Sequence, residues 1–166
     1  MNSLEFRKAN KKDLDIILNI YNFYITNTTV TFDHRSISKK EFLQRIFIGN
    51  DKYPTYLIIN SNDIAGFCFL TQYRKKEAYN RTVEIGLYLK PELTGKGIGQ
   101  KAMVFLENIA TNQKIRVIIA SISGENVVSI KLFEKTGYEK CAHYKEIGEK
   151  FGRFVDIIEY QKILPV

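Results

Sequence analysis

Three glycines fall within five residues in Leu93-Thr94-Gly95-Lys96-Gly97-Ile98-Gly99-Gln100-Lys101, between a run with strand alternation and one with helical spacing. Glycine at alternate positions lets backbone N–H groups turn inward and lets a phosphate approach without meeting a Cβ. A helix start adds free N–H groups and the positive end of the dipole, and Lys96 and Lys101 bring charge. The spacing predicts a phosphate or diphosphate site. A Walker loop would need Gly-Lys-Ser/Thr where Gln100 stands. A dinucleotide fingerprint would need its third glycine at the same place and an acid at the end of the next strand, where residues 115–122 have none. A turn that merely caps a helix is the plain alternative, and three glycines exceed what a cap requires.

Glu84 is the only acid inside the strand-like run Arg81-Thr82-Val83-Glu84-Ile85-Gly86-Leu87-Tyr88-Leu89. Among Val83, Ile85 and Tyr88 a carboxyl is set to hold its proton more tightly by desolvation. On the strand pattern alone, an exposed glutamate facing a cross-strand lysine explains it better. Arg74, Lys76 and Tyr79 form a basic, aromatic segment; an arginine fork matches carboxylates and phosphinates, and a solvated turn accounts for the segment equally well. Phe32 is either a pocket wall or core.

These residues need elements to place them. Residues 4–9 read as a strand. Leu14, Ile17, Leu18, Tyr21, Tyr24 and Ile25 recur at helical spacing behind acids at 13 and 15. Residues 26–36 read as a loop and 38–48 as a second helix. The runs 53–60 and 64–74 make a hairpin about Ser61-Asn62-Asp63, and the run 80–91 alternates. A helix over about 98–111, a β-branched strand over 115–123 and a helix over 125–135 ending before Gly137 follow, then strands 138–146 and 151–160 joined near Gly148. The order β-α-α-β-β-β-α-β-α-β-β predicts one twisted, largely antiparallel sheet flanked by helices, an α/β (α+β) fold.

At 166 residues, with 45% hydrophobic and 26% charged residues, the chain has the size and composition of one globular domain spanning 1–166. No run approaches the ~18 apolar residues of a membrane span. The opening Met1–Asp15 shows no secretory h-region, so the expected compartment is the cytoplasm. Two cysteines and two histidines without metal-ligand spacing predict no metal site. The charge of 25 − 18 = +7 is scattered rather than clustered, which argues against nucleic acid and leaves a surface surplus of lysine or a polyanionic small ligand.

Taken together, Thr94-Gly95-Lys96-Gly97-Ile98-Gly99, Asn126-Val127-Val128-Ser129-Ile130 and Gly137-Tyr138 resemble the acetyl-CoA site of the GNAT N-acetyltransferase superfamily. Ile20-Tyr21-Asn22, Thr31-Phe32-Asp33, Tyr73-Arg74, Ala78-Tyr79, Thr82-Val83-Glu84 and Lys150-Phe151-Gly152-Arg153 resemble its phosphinothricin and methionine-sulfoximine acetyltransferase branch. The pieces run in order from about residue 5 to 162. The resemblance implies the GNAT fold: a mixed, mostly antiparallel sheet of about seven strands, splayed in a V between the fourth and fifth, with about four helices. It implies acetyl-CoA as cosubstrate, with Leu87, Tyr88 and Leu89 on the pantetheine arm. Gly95, Lys96, Gly97, Ile98, Gly99 and Gln100 would hold the diphosphate, and Asn126 and Ser129 would lie on the cofactor. It implies Glu84 as general base toward a small amino-acid-like amine, Phe32, Arg74, Lys76 and Tyr79 as its binding residues, and a homodimer with pockets near the subunit boundary.

An amine must lose a proton to attack a thioester, so a base is required, and backbone N–H near Leu87 is the family's usual donor to the oxyanion. A thiolate leaves with little help, since its conjugate acid has a pKa of ~8.5. That matters because Phe133 stands where many GNAT enzymes have tyrosine and the close branch has histidine. Thr94, Ile85-Gly86, Lys76 and Phe154 are further departures, replacing arginine or glutamine, His-Ser, arginine and tryptophan. Acetylation of a protein N-terminus or lysine is the alternative activity. Phe133 and Thr94 also fit a CoA-binding member with little catalysis.

Overall fold

The computed structural model describes residues 4–165. Its strands are β1 (Leu4–Lys8), β2 (Thr55–Asn60), β3 (Asp63–Gln72), β4 (Thr82–Leu89), β5 (Val117–Ser123), β6 (Glu139–Lys150) and β7 (Arg153–Ile163); its helices are α1 (Leu14–Asn27), α2 (Lys39–Leu43), α3 (Ile98–Asn112) and α4 (Val127–Lys135). The strands form one seven-stranded sheet in the order β1-β2-β3-β4-β5-β7-β6. Every pairing is antiparallel except β4 with β5.

The alternation read along 82–89 decides the layering, because successive strand residues face opposite sides of a sheet. Val83, Ile85 and Leu89 join Leu106, Ala102 and Met103 of α3 in one core cluster. On the opposite face, Phe67 and Phe69 of β3 meet Ile17, Tyr21 and Ile25 of α1, with Tyr88 against them. Phe67, Phe69 and Tyr88 stack with centroids 5.2–6.4 Å apart. The aromatic side of the sheet is therefore stiff where Glu84, two residues before Gly86, emerges.

The one parallel pairing is short. It joins Thr82–Glu84 to Val117–Ile119 and then stops. Beyond Glu84 the strands part: β4 continues beside β3, and β5 turns to β7. The V-shaped splay between the fourth and fifth strands opens at this point, leaving the free edge of Gly86–Leu89 facing a gap.

Two expected elements differ. The helix expected over 38–48 ends at Leu43. Ile46 and Phe47 serve opposite cores, Ile46 buried against the α1 side and Phe47 packed toward Tyr53 on the other; a continuous helix would not send such near neighbours to both. The last hairpin turns at Phe151-Gly152, both with positive φ (52° and 73°), and not near Gly148. Gly148 sits inside β6 opposite Val155, and the Phe32 ring occupies the place of its missing side chain, where a Cβ would lie 2.5 Å from a ring carbon. The first hairpin turns at Ser61-Asn62, both left-handed, with Asp63 opening β3.

Candidate active site

The glycine loop delivers the free N–H groups its sequence promised. Gly95 and Gly97 take positive φ (72° and 77°). Gly97 is the N-cap of α3 and offers no side-chain cap, so the N–H groups of Ile98, Gly99 and Gln100 lack the usual side-chain partner of a helix start. A Cβ at Gly95 or Gly97 would meet nothing of the protein within 4 Å; within the protein, backbone conformation is what requires these glycines. Gly99 is held differently, with Leu132 and Leu87 at 3.1 and 3.3 Å from the Cβ position.

A groove of about 370 Å³ opens beside this loop. Leu87, Leu89, Gly95, Gly97, Gly99 and Gln100 line one side, and Asn126, Ser129, Leu132 and Lys135 the other. The Oδ1 of Asn126 accepts from the Ser129 N–H at 3.1 Å, capping α4, which leaves its amide NH₂ for a ligand. Tyr24 also borders the groove, and its hydroxyl donates to the Leu89 carbonyl at 2.6 Å. Three expected cofactor contacts are not part of this lining: Tyr88 lines two spaces deeper in instead, and Lys96 and Ile98 line neither those nor the groove. Lys96 is exposed on the outside of the loop, and Ile98 turns its side chain into the core, 6% exposed, leaving only its backbone N–H toward the groove.

Deeper in, a narrow space of about 70 Å³ fills the splay between Ile85–Tyr88 and Ala120–Ser123. Phe133 closes it from α4, 7% exposed and edge-on to Tyr138 at 4.9 Å. No proton donor stands where Phe133 is; the hydroxyls bordering this space are Tyr88, Ser121, Ser123 and Ser129.

Beyond the gap lies a third cavity of about 480 Å³. Glu84 and Tyr88 line it from β4, and Thr71 to Lys75 from the end of β3. Val30, Thr31 and Phe32 form the wall from the loop after α1. Burial first, and the charge of Glu159 second, raise the pKa of Glu84 from the ordinary glutamate value. No hydrogen-bond or ion-pair partner among the described residues offsets this. The exposed strand glutamate of the pattern reading is thus replaced by a recessed one. Burial likewise holds the Tyr88 phenol well above its ordinary value, so it is neutral.

Arg74 reaches the cavity rim with its guanidinium 5.0 Å from the Tyr73 ring and 5.5 Å from Tyr79. It has no carboxylate partner among the described residues, whereas Arg45 on the same cavity is paired with Asp33 at 2.6 Å. Tyr79 therefore meets Arg74 and not the cavity itself. Lys76 is exposed at the start of a 3-10 turn, outside the lining, and Lys75 takes the rim position. Phe32 is a wall residue.

Sequence reasoning missed Ser121, Arg45, Tyr24 and Lys150. Ser121 had a signal, a polar residue inside the run Ile115–Ser123. Gly86 also gains a reason: a Cβ there would lie 2.1 Å from the Phe69 ring, so the ring leaves no room for a side chain at this position. Among the described residues no group of three or more His, Cys, Asp or Glu is arranged for a metal, and no helix is long and apolar enough to cross a membrane.

A family model described as "Acetyltransferase (GNAT) domain" matches residues 6–158. The L-methionine sulfoximine/L-methionine sulfone acetyltransferase of Salmonella typhimurium is 28% identical over 93% of this chain and 91% of its own. The structure of a phosphinothricin acetyltransferase from Sinorhizobium meliloti in complex with AcCoA has a TM-score of 0.89 at 30% identity, covering 97% of this chain and 88% of that one. The structure of a ribosomal-protein-alanine N-acetyltransferase from Brucella melitensis has a TM-score of 0.88 at 29% identity, covering 96% and 99%.

Proposed function

Because the chain belongs to the GNAT acetyltransferase family, an acetyl-CoA-dependent N-acetyltransferase in kind, we propose that its three connected spaces divide one acetyl transfer between them. In this reading the groove beside α3 takes the diphosphate and pantetheine of acetyl-CoA, the splay holds the thioester, and the 480 Å³ cavity holds the amine. The amine is a small amino-acid-like molecule of the methionine sulfoximine, methionine sulfone or phosphinothricin kind. The carrying observation is Glu84, an unpaired carboxyl recessed in that cavity at the point where β4 and β5 separate.

Glu84 takes the ammonium proton, directly or through a water, as the nitrogen attacks the thioester carbonyl. The backbone N–H groups on the free edge of Gly86–Leu89 are the donors available to the oxyanion. Phe133 donates nothing, so the thiolate departs unassisted, which its acidity permits, and the second proton that the nitrogen loses as the intermediate collapses goes to the departing thiolate or to solvent. Arg74 receives the substrate's carboxylate or acidic side group, and its stacking on two tyrosines holds the fork in place. Lys76 has no part in this version of the site; Lys75 supplies the second rim charge. Gly95, Gly97, Ile98, Gly99 and Gln100 act through backbone N–H, with Asn126 and Ser129 across the groove.

A thiol-release screen with acetyl-CoA over amino acids and their sulfone, sulfoximine and phosphinate analogues tests this. Turnover is expected with at least one of them, and R74A is expected to raise KM for that amine by about tenfold or more, the cost of losing a charge-assisted contact, with KM for acetyl-CoA unchanged. Turnover of peptide N-termini and no small amine would favour the alternative activity, to which the Brucella melitensis likeness lends support.

The enzyme is read as one domain spanning 1–166, in the cytoplasm and acting as a homodimer. Tyr144, Ile147, Phe151 and Phe154 on the β6–β7 hairpin are 42–64% exposed, and such a cluster beside the sheet edge favours a protein partner. Sedimentation at micromolar concentration is expected to give twice the chain mass; a single-chain mass removes the dimer.

A further inference from the structure

Lys150 is the least expected side chain near the amine cavity. It ends β6 and is 1% exposed, yet no ion pair among the described residues includes it. An ammonium taken out of water without a counter-ion is costly. Desolvation accordingly lowers its pKa, with the charge of Asp33 acting the other way. A hairpin end has no need of such a residue, because an exposed lysine would serve as well. The cost implies a task, and the bonds of the ammonium identify it. The Nζ donates to the backbone carbonyl of Thr31 and lies 5.1 Å from the Phe151 ring.

Thr31 is the middle of the Val30–Phe32 wall. Other ties converge on the same short loop. The Tyr21 and Thr31 hydroxyls are 3.2 Å apart. Thr29 donates to Glu125 at 2.8 Å, and Arg153 grips the same carboxylate. The Phe32 ring lies over Gly148, two residues before Lys150. A loop without helix or strand bonds of its own is held only by such contacts. The Lys150 bond is the one that takes hold of its main chain from β6.

We propose that Lys150 is a positioning residue for amine binding: its buried ammonium holds the Thr31 carbonyl, and so fixes the Val30–Phe32 wall opposite Glu84. This rests on the reading of that cavity as the amine site. A long, flexible side chain is suited to reach the loop, and a cation makes the stronger bond to a carbonyl. Thr31 and Phe32 line the amine cavity alone, while Val30 also borders the splay and the groove beside α3, so losing the tie on Thr31 is felt first by the amine. Misplacing a wall by a fraction of an ångström weakens one substrate's orientation without touching the other's binding.

The test is K150M, which keeps the length and removes the donor, measured with acetyl-CoA and the best amine from the screen. KM for the amine is expected to rise about tenfold, with KM for acetyl-CoA within about twofold of wild type. G148A, which pushes on Phe32 without touching the ammonium, is expected to give the same split. Should K150M fail to accumulate as folded protein, K150L, also without a donor, carries the same comparison. An unchanged amine KM, or a parallel rise in both KM values with a fallen Tm, overturns the role of Lys150. An E84Q enzyme as active as wild type overturns the reading of the cavity instead, whatever K150M does.

Discussion

Glu84→Gln is expected to lower kcat between about 10²- and 10⁴-fold, the usual worth of a general base, while calorimetry finds CoA bound as tightly as before. The argument is one of position and charge. Glu84 stands on the last residue of β4 that is paired to β5, and it lines the cavity that reaches the splay. Glutamine keeps the volume and the hydrogen-bonding shape but accepts no proton. The pH dependence follows from the direction of its pKa. Burial, then Glu159, raises it, so the ionised base is lost at a higher pH than an ordinary glutamate would allow. The wild-type rate should therefore climb with pH through a limb shifted upward from that of an ordinary glutamate, and in Glu84→Gln that limb should vanish, leaving only the ionisation of the amine itself. Stability runs the opposite way. Between the unfolded and the raised folded pKa the native state binds more protons than the unfolded one, so this carboxyl makes the fold less stable as pH rises through that window. Glu84→Gln should then have a higher Tm than wild type near pH 8 and lose the advantage near pH 4. A mutant that is fully active, or that loses turnover together with a lowered Tm at all pH values, defeats the base assignment.

How legible this was depended on the kind of signal each residue carries. The glycine loop was legible because backbone conformation leaves marks in one short window, whereas the strand pattern alone favoured an exposed Glu84 and only the family resemblance singled it out. The positive φ of Gly95 and Gly97 is the conformation the spacing implied, and the alternation of 82–89 placed Glu84 opposite the α3 core. The chain order of strands and helices followed from the run of patterns; the spatial order of the strands, with β7 inserted between β5 and β6, did not. The helix expected over 38–48 failed because helical spacing at Ile46–Ile48 is also what a segment shows when it feeds two cores in turn. The last turn was misplaced because glycine marks a turn and also a close approach; Gly148 is the second kind, Gly152 the first. Lys150 was legible only as part of the motif Lys150–Arg153, without a role, and Arg45 was not legible at all. One makes its bond to the carbonyl of a residue 119 positions away, the other to Asp33 across a loop, and no local pattern encodes such a distance. Lys76 was chosen over Lys75 because neighbouring lysines are indistinguishable until a strand end fixes which of them faces the cavity.

The second large effect belongs to the loop. Gly97→Val is expected to raise KM for acetyl-CoA at least about tenfold and to abolish measurable CoA affinity, with KM for the amine within about twofold. Gly97 caps α3 at φ 77°, and a side chain there would meet nothing within 4 Å. Within the protein the effect therefore comes from the main chain, and toward a bound diphosphate the added side chain also blocks the close approach that glycine allows. A β-branched residue in the left-handed region is a genuine outlier, and strain of this kind costs about 1–3 kcal/mol. The loop has two ways to relieve it. It keeps its shape and the fold loses that stability, or the substituted residue leaves the region and the N–H groups of Ile98, Gly99 and Gln100 turn away from the groove. The second is open here because the loop is exposed and has few bonds of its own. Gly49 supplies the control. It has nearly the same φ, 75°, and equal free space, but it sits outside all three spaces described. Gly49→Val carries the same backbone penalty and should lower Tm while leaving KM for acetyl-CoA where it was. If both variants lose stability alike and both retain CoA, the diphosphate binds elsewhere, and the groove beside α3 is not the acetyl donor's site.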